Sequence, residues 1–263
     1  RHQLGPAVDR LLDPGAHAHR LLRCDERADV GVVVGGVARG LPGEAAGDAG
    51  LDFTWIDMEH GPITIETVLL HLMAQRGTGC APLVRVVGND PFILKPVLEL
   101  APAGVIIPLV SSVREAEAAV RACRYPPRGI RGCGVRRGAW RKTFLEYLEQ
   151  SEREPLVIIQ IEQKSALKEL DAILQVDGIG SICVGPSDLS ASMHKLGRSD
   201  AEVQDVIDEI CAKARAAGDC GGQDGFGAGE GSGGQQTATN KGAGEQAAGA
   251  RPGQASGEAC EPP

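Results

Sequence analysis

Glu162 closes the apolar run Val157-Ile158-Ile159-Gln160-Ile161, and Asp188 follows a second run within Gly185-Pro186-Ser187-Asp188-Leu189-Ser190. Near-continuous apolar runs of this length read as parallel strands buried on both faces, so both carboxylates are expected at strand C-termini. The two residues are 26 positions apart, close to one β/α unit, which puts them on adjacent strand ends. Two hard oxygen donors without a His or Cys partner suit Mg²⁺ or Mn²⁺, with Co²⁺ also accepted. They leave positions for water and an oxygen-rich substrate. The competing use of such a carboxylate is to cap a helix N-terminus, and Asp188 is the more exposed to that reading.

Asp52 to His60 is a further strand-like run, ending in Asp57, Glu59 and His60. His60 is a candidate general acid/base, with Asp57 as the carboxylate that fixes its tautomer. Arg85 ends the short run Pro82-Leu83-Val84. A fixed guanidinium at a strand end can bind a carboxylate bidentately and stabilise a developing enolate oxygen; its other use is an ion pair with Asp57 or Glu59. Gln160 shares the strand face of Glu162 and could orient a ligand or bond a substrate. The Gly185-Pro186-Ser187 turn lets backbone N–H groups approach a substrate carboxylate. No lysine accompanies these groups at a strand end, which argues against Schiff-base chemistry.

The elements that must position these groups alternate along the chain. Strands are expected over 52–57, 82–87, 104–109, 156–161 and 179–184, with Asp29 to Gly35 as a possible first strand. Helices are expected over 64–75, 91–100, 112–123, 141–150, 164–174 and 201–217. This alternation predicts a parallel α/β sheet with right-handed crossovers and, with 263 residues, a (β/α)8 TIM-type barrel. At about 31 residues per unit, the patterned region holds only five or six units, so the barrel is expected to be incomplete at both ends. Three segments follow: an atypical N-terminal segment, 1–48; a barrel core, 49–218; and a Gly/Ala-rich tail, 219–263, expected to be disordered. Abrupt loss of pattern into Gly, Ala, Arg and Pro is what out-of-frame translation of GC-rich DNA produces. A genuine low-complexity flank is the other reading.

Bulk properties narrow the partners. A net charge of −8 disfavours nucleic acid. No run approaches the 18 or so apolar residues of a membrane span. The eight cysteines are dispersed without a C-x-x-C pair, which reads as a reduced, cytoplasmic setting.

Several ordered motifs carry a family resemblance. Asp57-Met58-Glu59-His60, Val84-Arg85, Asn89-Asp90-Pro91, Arg124-Tyr125-Pro126-Pro127-Arg128-Gly129-Ile130-Arg131-Gly132, Gln160-Ile161-Glu162 and Gly185-Pro186-Ser187-Asp188-Leu189-Ser190 resemble the HpcH/HpaI aldolases. The resemblance runs from about Gly50 to Gly218. It implies a class II, metal-dependent aldolase that cleaves or forms 4-hydroxy-2-oxo acids through a pyruvate enolate, its partners a 2-oxo acid and an aldehyde. It also implies metal ligation by Glu162 and Asp188, contact of Arg85 with the pyruvyl unit, and acid/base work by His60. Family members form homo-oligomers aided by a C-terminal helix, which this sequence does not display. They also use the Arg124 to Arg137 excursion near the active site and subunit contact, although Arg128, Arg131, Arg136 and Arg137 could equally be solvated. The alternatives are an acyl-CoA lyase of the citrate-lyase β type and a truncated, non-catalytic barrel.

Overall fold

The computed structural model describes residues 31–35, 40–134, 137–196 and 200–217. Residues 1–30, the tail from 219 onward and Arg136 lie outside them. Six parallel strands run in sequential order: β1 (Gly31–Val34), β2 (Phe53–Asp57), β3 (Ala81–Arg85), β4 (Gly104–Ile107), β5 (Leu156–Ile161) and β6 (Ser181–Val184). Between and after them come α1 (Leu41–Asp48), α2 (Ile65–Ala74), α3 (Pro91–Glu99), α4 (Val113–Cys123), α5 (Phe144–Ser151), α6 (Leu170–Ile173), α7 (Pro186–Ser192) and α8 (Ala201–Ala217). Each strand pairs with its sequence neighbour, the wrapping order of a TIM-type barrel, of which these residues supply six strands.

The side-chain period of two sorts the strand residues into two layers. Phe53, Ala81, Leu83, Ile106, Leu156, Ile158 and Cys183 pack together on one face, with Trp55 against them. Ile56, Val84, Val105, Ile107, Val157, Ile159 and Ile161 face the helices on the other. Every residue of β4 and β5 is buried, which explains their unbroken apolar runs.

Helix starts follow the local chemistry. Thr64, Asp90 and Ser112 cap α2, α3 and α4 through their side chains, and Pro91 occupies the first turn of α3. Thr143 and Glu146 close a reciprocal capping box on α5. That box delays α5 relative to the expected 141–150. The expected helix 164–174 is split into a 3₁₀ turn, Lys164–Lys168, and the short α6. Asp188 lies inside α7, because Gly185 and Pro186 start that helix ahead of it.

The long connection between α4 and β5 lies at the N-terminal end of the strands, and its arginines are anchored. Arg124 donates to the Pro155 carbonyl, and Arg131 to the Leu98 carbonyl and the Tyr147 hydroxyl. Arg137 donates to the carbonyls of Leu72 and Leu100, at the C-terminal ends of α2 and α3. Carbonyls left unpaired at helix ends are natural acceptors for a guanidinium. Arg128 pairs with Glu152 and Asp177. A groove of about 1530 Å³ opens beside this connection, lined by Met73, Leu98, Arg137 and Trp140 among others. None of the strand-end residues singled out for chemistry borders it.

His71 of α2 is fully buried, and neither ring nitrogen has a hydrogen bond among the described residues. Burial holds its pKa below the ordinary 6.5. The unfolded chain therefore binds a proton that the folded chain refuses, so stability falls as pH drops below about 6.5. We expect His71→Leu to flatten that acid-side slope in urea midpoints measured from pH 7.5 to 5. An unchanged slope would assign the effect to other groups.

Candidate active site

β2 and β3 are registered so that Asp57 lies opposite Arg85. Asp57 receives Arg85 Nε at 2.9 Å and Nη2 at 2.7 Å, a bidentate pair in which both side chains are largely buried. Its Oδ1 also accepts the backbone N–H groups of Glu59 (3.1 Å) and His60 (3.3 Å). Burial pushes the Asp57 carboxyl upward, but the guanidinium and the two N–H groups carry it below its usual value. Among the described residues, Asp57 therefore meets His60 through the main chain and not through the imidazole. The His60 side chain is 63% exposed, with Nε2 at 3.7 Å from Glu59 Oε2. Glu59, two residues beyond Asp57, is thus the nearest carboxylate to that ring.

The remaining edge of Arg85 turns toward β5. Nη1 lies 3.4 Å from Gln160 Oε1 and 3.2 Å from Glu59 Oε2. The Gln160 amide donates to Glu162 Oε2, so Asp57, Arg85, Gln160 and Glu162 form one connected chain across three strands. Glu162 is buried, and its Oε1 accepts the Leu109 N–H at 2.6 Å. Leu109 takes a left-handed conformation (φ 59°) just beyond β4, a backbone cost that aims this N–H at the carboxylate.

Gly185 fits directly against this chain. A Cβ there would stand 2.5 Å from Glu162 Oε2 and 2.8 Å from Gln160 Nε2. Gly185→Ala is therefore expected to displace Glu162, costing about 1–3 kcal/mol of stability by overpacking. Activity should fall about 100-fold from misplacement of about 1 Å. A variant with wild-type urea midpoint and turnover would refute the tight fit.

The electrostatics favour a cation. Burial raises the pKa of Glu162; the Leu109 N–H and the Gln160 amide oppose the shift, and the charges of Glu59 and Asp188 add to it. Burial likewise raises Glu59, opposed by Arg85 and His60 and reinforced by Asp57 and Asp188. Glu59 Oε2 is buried, and its partners are the charges of Arg85 at 3.2 Å and, when protonated, His60 at 3.7 Å. Glu59, Glu162 and Asp188 lie within mutual electrostatic reach, and carboxylate oxygens are the donors that a hard divalent ion takes. No group of three His, Cys, Asp or Glu side chains among the described residues is gathered closely enough to hold a metal ion. Asp188 and Ser187 are exposed, Pro186 is half-buried, and Gly185 is buried at the start of α7.

Known proteins resemble this chain in sequence and in fold. A sequence model of the HpcH/HpaI aldolase/citrate lyase family matches residues 43–220. The 5-keto-4-deoxy-D-glucarate aldolase of Salmonella arizonae is 41% identical over 177 residues, spanning 66% of this chain and 69% of that protein. Its counterpart in Citrobacter koseri is 40% identical over 184 residues, spanning 69% and 72%. An HpcH/HpaI aldolase/citrate lyase family protein from Burkholderia cenocepacia superposes with a TM-score of 0.69 at 28% identity, covering 78% of this chain and 82% of that one. The HpcH/HpaI aldolase from Desulfitobacterium hafniense gives 0.66 at 26% identity, covering 73% and 75%. The family is metal-dependent and acts on small molecules. No helix among the described residues is long and apolar enough to cross a membrane. With the matched segment spanning β2 to α8 and every strand-end residue discussed above, the chain belongs to the HpcH/HpaI aldolase/citrate lyase family and is a lyase of the aldolase type.

Proposed function

We propose that this chain cleaves and forms 4-hydroxy-2-oxo acids through a pyruvate enolate. Glu162 and Asp188 hold Mg²⁺ or Mn²⁺, with Co²⁺ as a substitute. The observation that carries this reading is the Arg85 guanidinium, clamped on one edge by Asp57 and turned by the other toward Gln160 and the Glu162 carboxylate. When bound, the cation would supply Lewis acidity to the 2-oxo acid. Arg85 Nη1 then donates to the oxygen that becomes negative as the C3–C4 bond breaks, a charge that develops in the transition state. Gln160 and the Gly185-Pro186-Ser187 segment border the same space and orient the acid. The electron pair of the C3–C4 bond passes to C3, and the C4 hydroxyl proton passes to the exposed His60 as the aldehyde forms. Protonation of C3 completes pyruvate, and the reverse sequence builds the aldol.

The relatives are named for 5-keto-4-deoxy-D-glucarate, a 4-hydroxy-2-oxo acid when numbered from its oxo-acid end, so that compound is the first substrate to test. Pyruvate C3–H exchange in D₂O, followed by NMR with Mg²⁺ or Mn²⁺, isolates the enolate half-reaction. Release of pyruvate from 5-keto-4-deoxy-D-glucarate tests the whole. Metal-dependent exchange with cleavage supports the proposal; folded protein that does neither rejects it.

A further inference from the structure

Trp55 occupies the inner face of β2, two residues before Asp57, and packs beside the inner layer formed by Phe53, Leu83 and Ile158. Its ring lies under Arg85, with the guanidinium carbon 5.2 Å from the ring centroid. Asp57 holds Nε and Nη2 of that guanidinium, contacts that fix one edge. Nη1, on the other edge, meets Glu59 Oε2 at 3.2 Å and Gln160 Oε1 at 3.4 Å, contacts that a substrate must replace. These contacts lie at the edges of the guanidinium, and a π-face beneath it holds the group against displacement when they are exchanged, because the ring quadrupole attracts the cation.

We propose that Trp55 is a positioning residue for Arg85: the ring beneath the guanidinium keeps Nη1 in place to meet the 2-oxo acid once its Gln160 and Glu59 contacts give way. The inference rests on the aldolase reading above. It separates Trp55 from a plain core residue, since a core residue acts through volume, whereas a positioning residue acts through its π-electrons.

Fluorinated tryptophans test this without changing shape appreciably. In a Trp140→Phe background, which removes the other tryptophan, mono-, di- and trifluoro-tryptophan are incorporated at position 55. Pyruvate affinity is read from the change in Trp55 fluorescence with Mn²⁺ bound, independently of turnover, and KM and kcat from proton exchange. Each added fluorine is expected to weaken pyruvate binding stepwise, about 2- to 10-fold across the series for a cation–π contact. The thermal midpoint should stay constant. Trp55→Met, apolar but smaller and without a π-face, should raise KM at least as much, and Trp55→Phe, also smaller but aromatic, should recover most of the loss. In an Arg85→Lys background the fluorine dependence should shrink, the coupling expected of a direct pair. Flat affinity across the series, or an equal dependence in both backgrounds, overturns the proposal even when wild-type exchange is normal. Absence of exchange in the wild-type chain removes the aldolase reading instead, and this inference with it.

Discussion

Glu162→Gln should lose metal-dependent pyruvate exchange by on the order of 10³-fold, the scale of a lost group that stabilises developing charge. The fold should remain intact. Glutamine keeps an oxygen for the Leu109 N–H and nearly the same volume, and the one adjustment required is at Gln160, whose amide donor would face the new NH2 group. In metal-free protein it also removes a charge that burial and the nearby Glu59 and Asp188 disfavour. Stability without metal is accordingly expected to hold or rise while Mn²⁺ binding, measured by calorimetry, is lost. Retained Mn²⁺ affinity with normal exchange would show that the metal sits elsewhere. A collapse of the urea midpoint would instead make Glu162 a structural residue.

Arg85→Ala should have the largest effect on stability, about 3–5 kcal/mol, because it strands the buried Asp57 carboxylate without its bidentate partner. The sign of the pH dependence is informative. In the wild type, the opposing partners keep the Asp57 pKa low, so the pair's contribution persists through neutral pH and fades only as acid protonates the carboxylate. Without Arg85, burial becomes the leading influence and the pKa should rise, so the variant's deficit should narrow as pH falls from 7 toward 5. Asp57→Asn in the same background should recover part of the loss, since it leaves no unpaired charge. A single-variant loss below about 1 kcal/mol would mean that Asp57 is better solvated than its burial indicates.

The strands were legible in the chain because their runs are extreme. Leu156–Ile161 and Gly104–Ile107 are buried throughout, and nothing but a two-sided parallel strand accounts for such segments. Helix starts at Thr64, Asp90 and Ser112 were equally readable from their capping side chains. The start of α7 was obscured because Gly-Pro suggests a turn, and the same proline is well suited to a first helical turn. The partner of Asp57 was ambiguous for a different reason. Its nearest basic residue in sequence is His60, but its partner in space is set by strand register, which places Arg85 opposite it. Local spacing cannot convey register between strands 28 residues apart. Glu59 was missed as a member of the carboxylate group, although a period of two from Asp57 was the signal that could have found it. The Leu109 N–H has no such signal, because it depends on a left-handed backbone at a leucine.

The linkage of Asp57, Arg85, Gln160, Glu162 and Gly185 also bears on how this enzyme could acquire new substrates. Each member touches the next, so a substitution at any one of them disturbs the pyruvyl half of the site before it can alter preference for the aldehyde. Adaptive change therefore has to enter through residues that face the rim without belonging to that linkage. Pro62 and Val87, exposed residues beyond β2 and β3, are such positions. A directed-evolution library confined to the linked residues would consist mostly of inactive clones. One that spares them, together with Glu59, His60 and Asp188, and varies exposed positions of the loops after β2 and β3 keeps the enolate chemistry constant while sampling acceptors, so that a single fold can serve as the starting point for many carbon–carbon bond-forming catalysts.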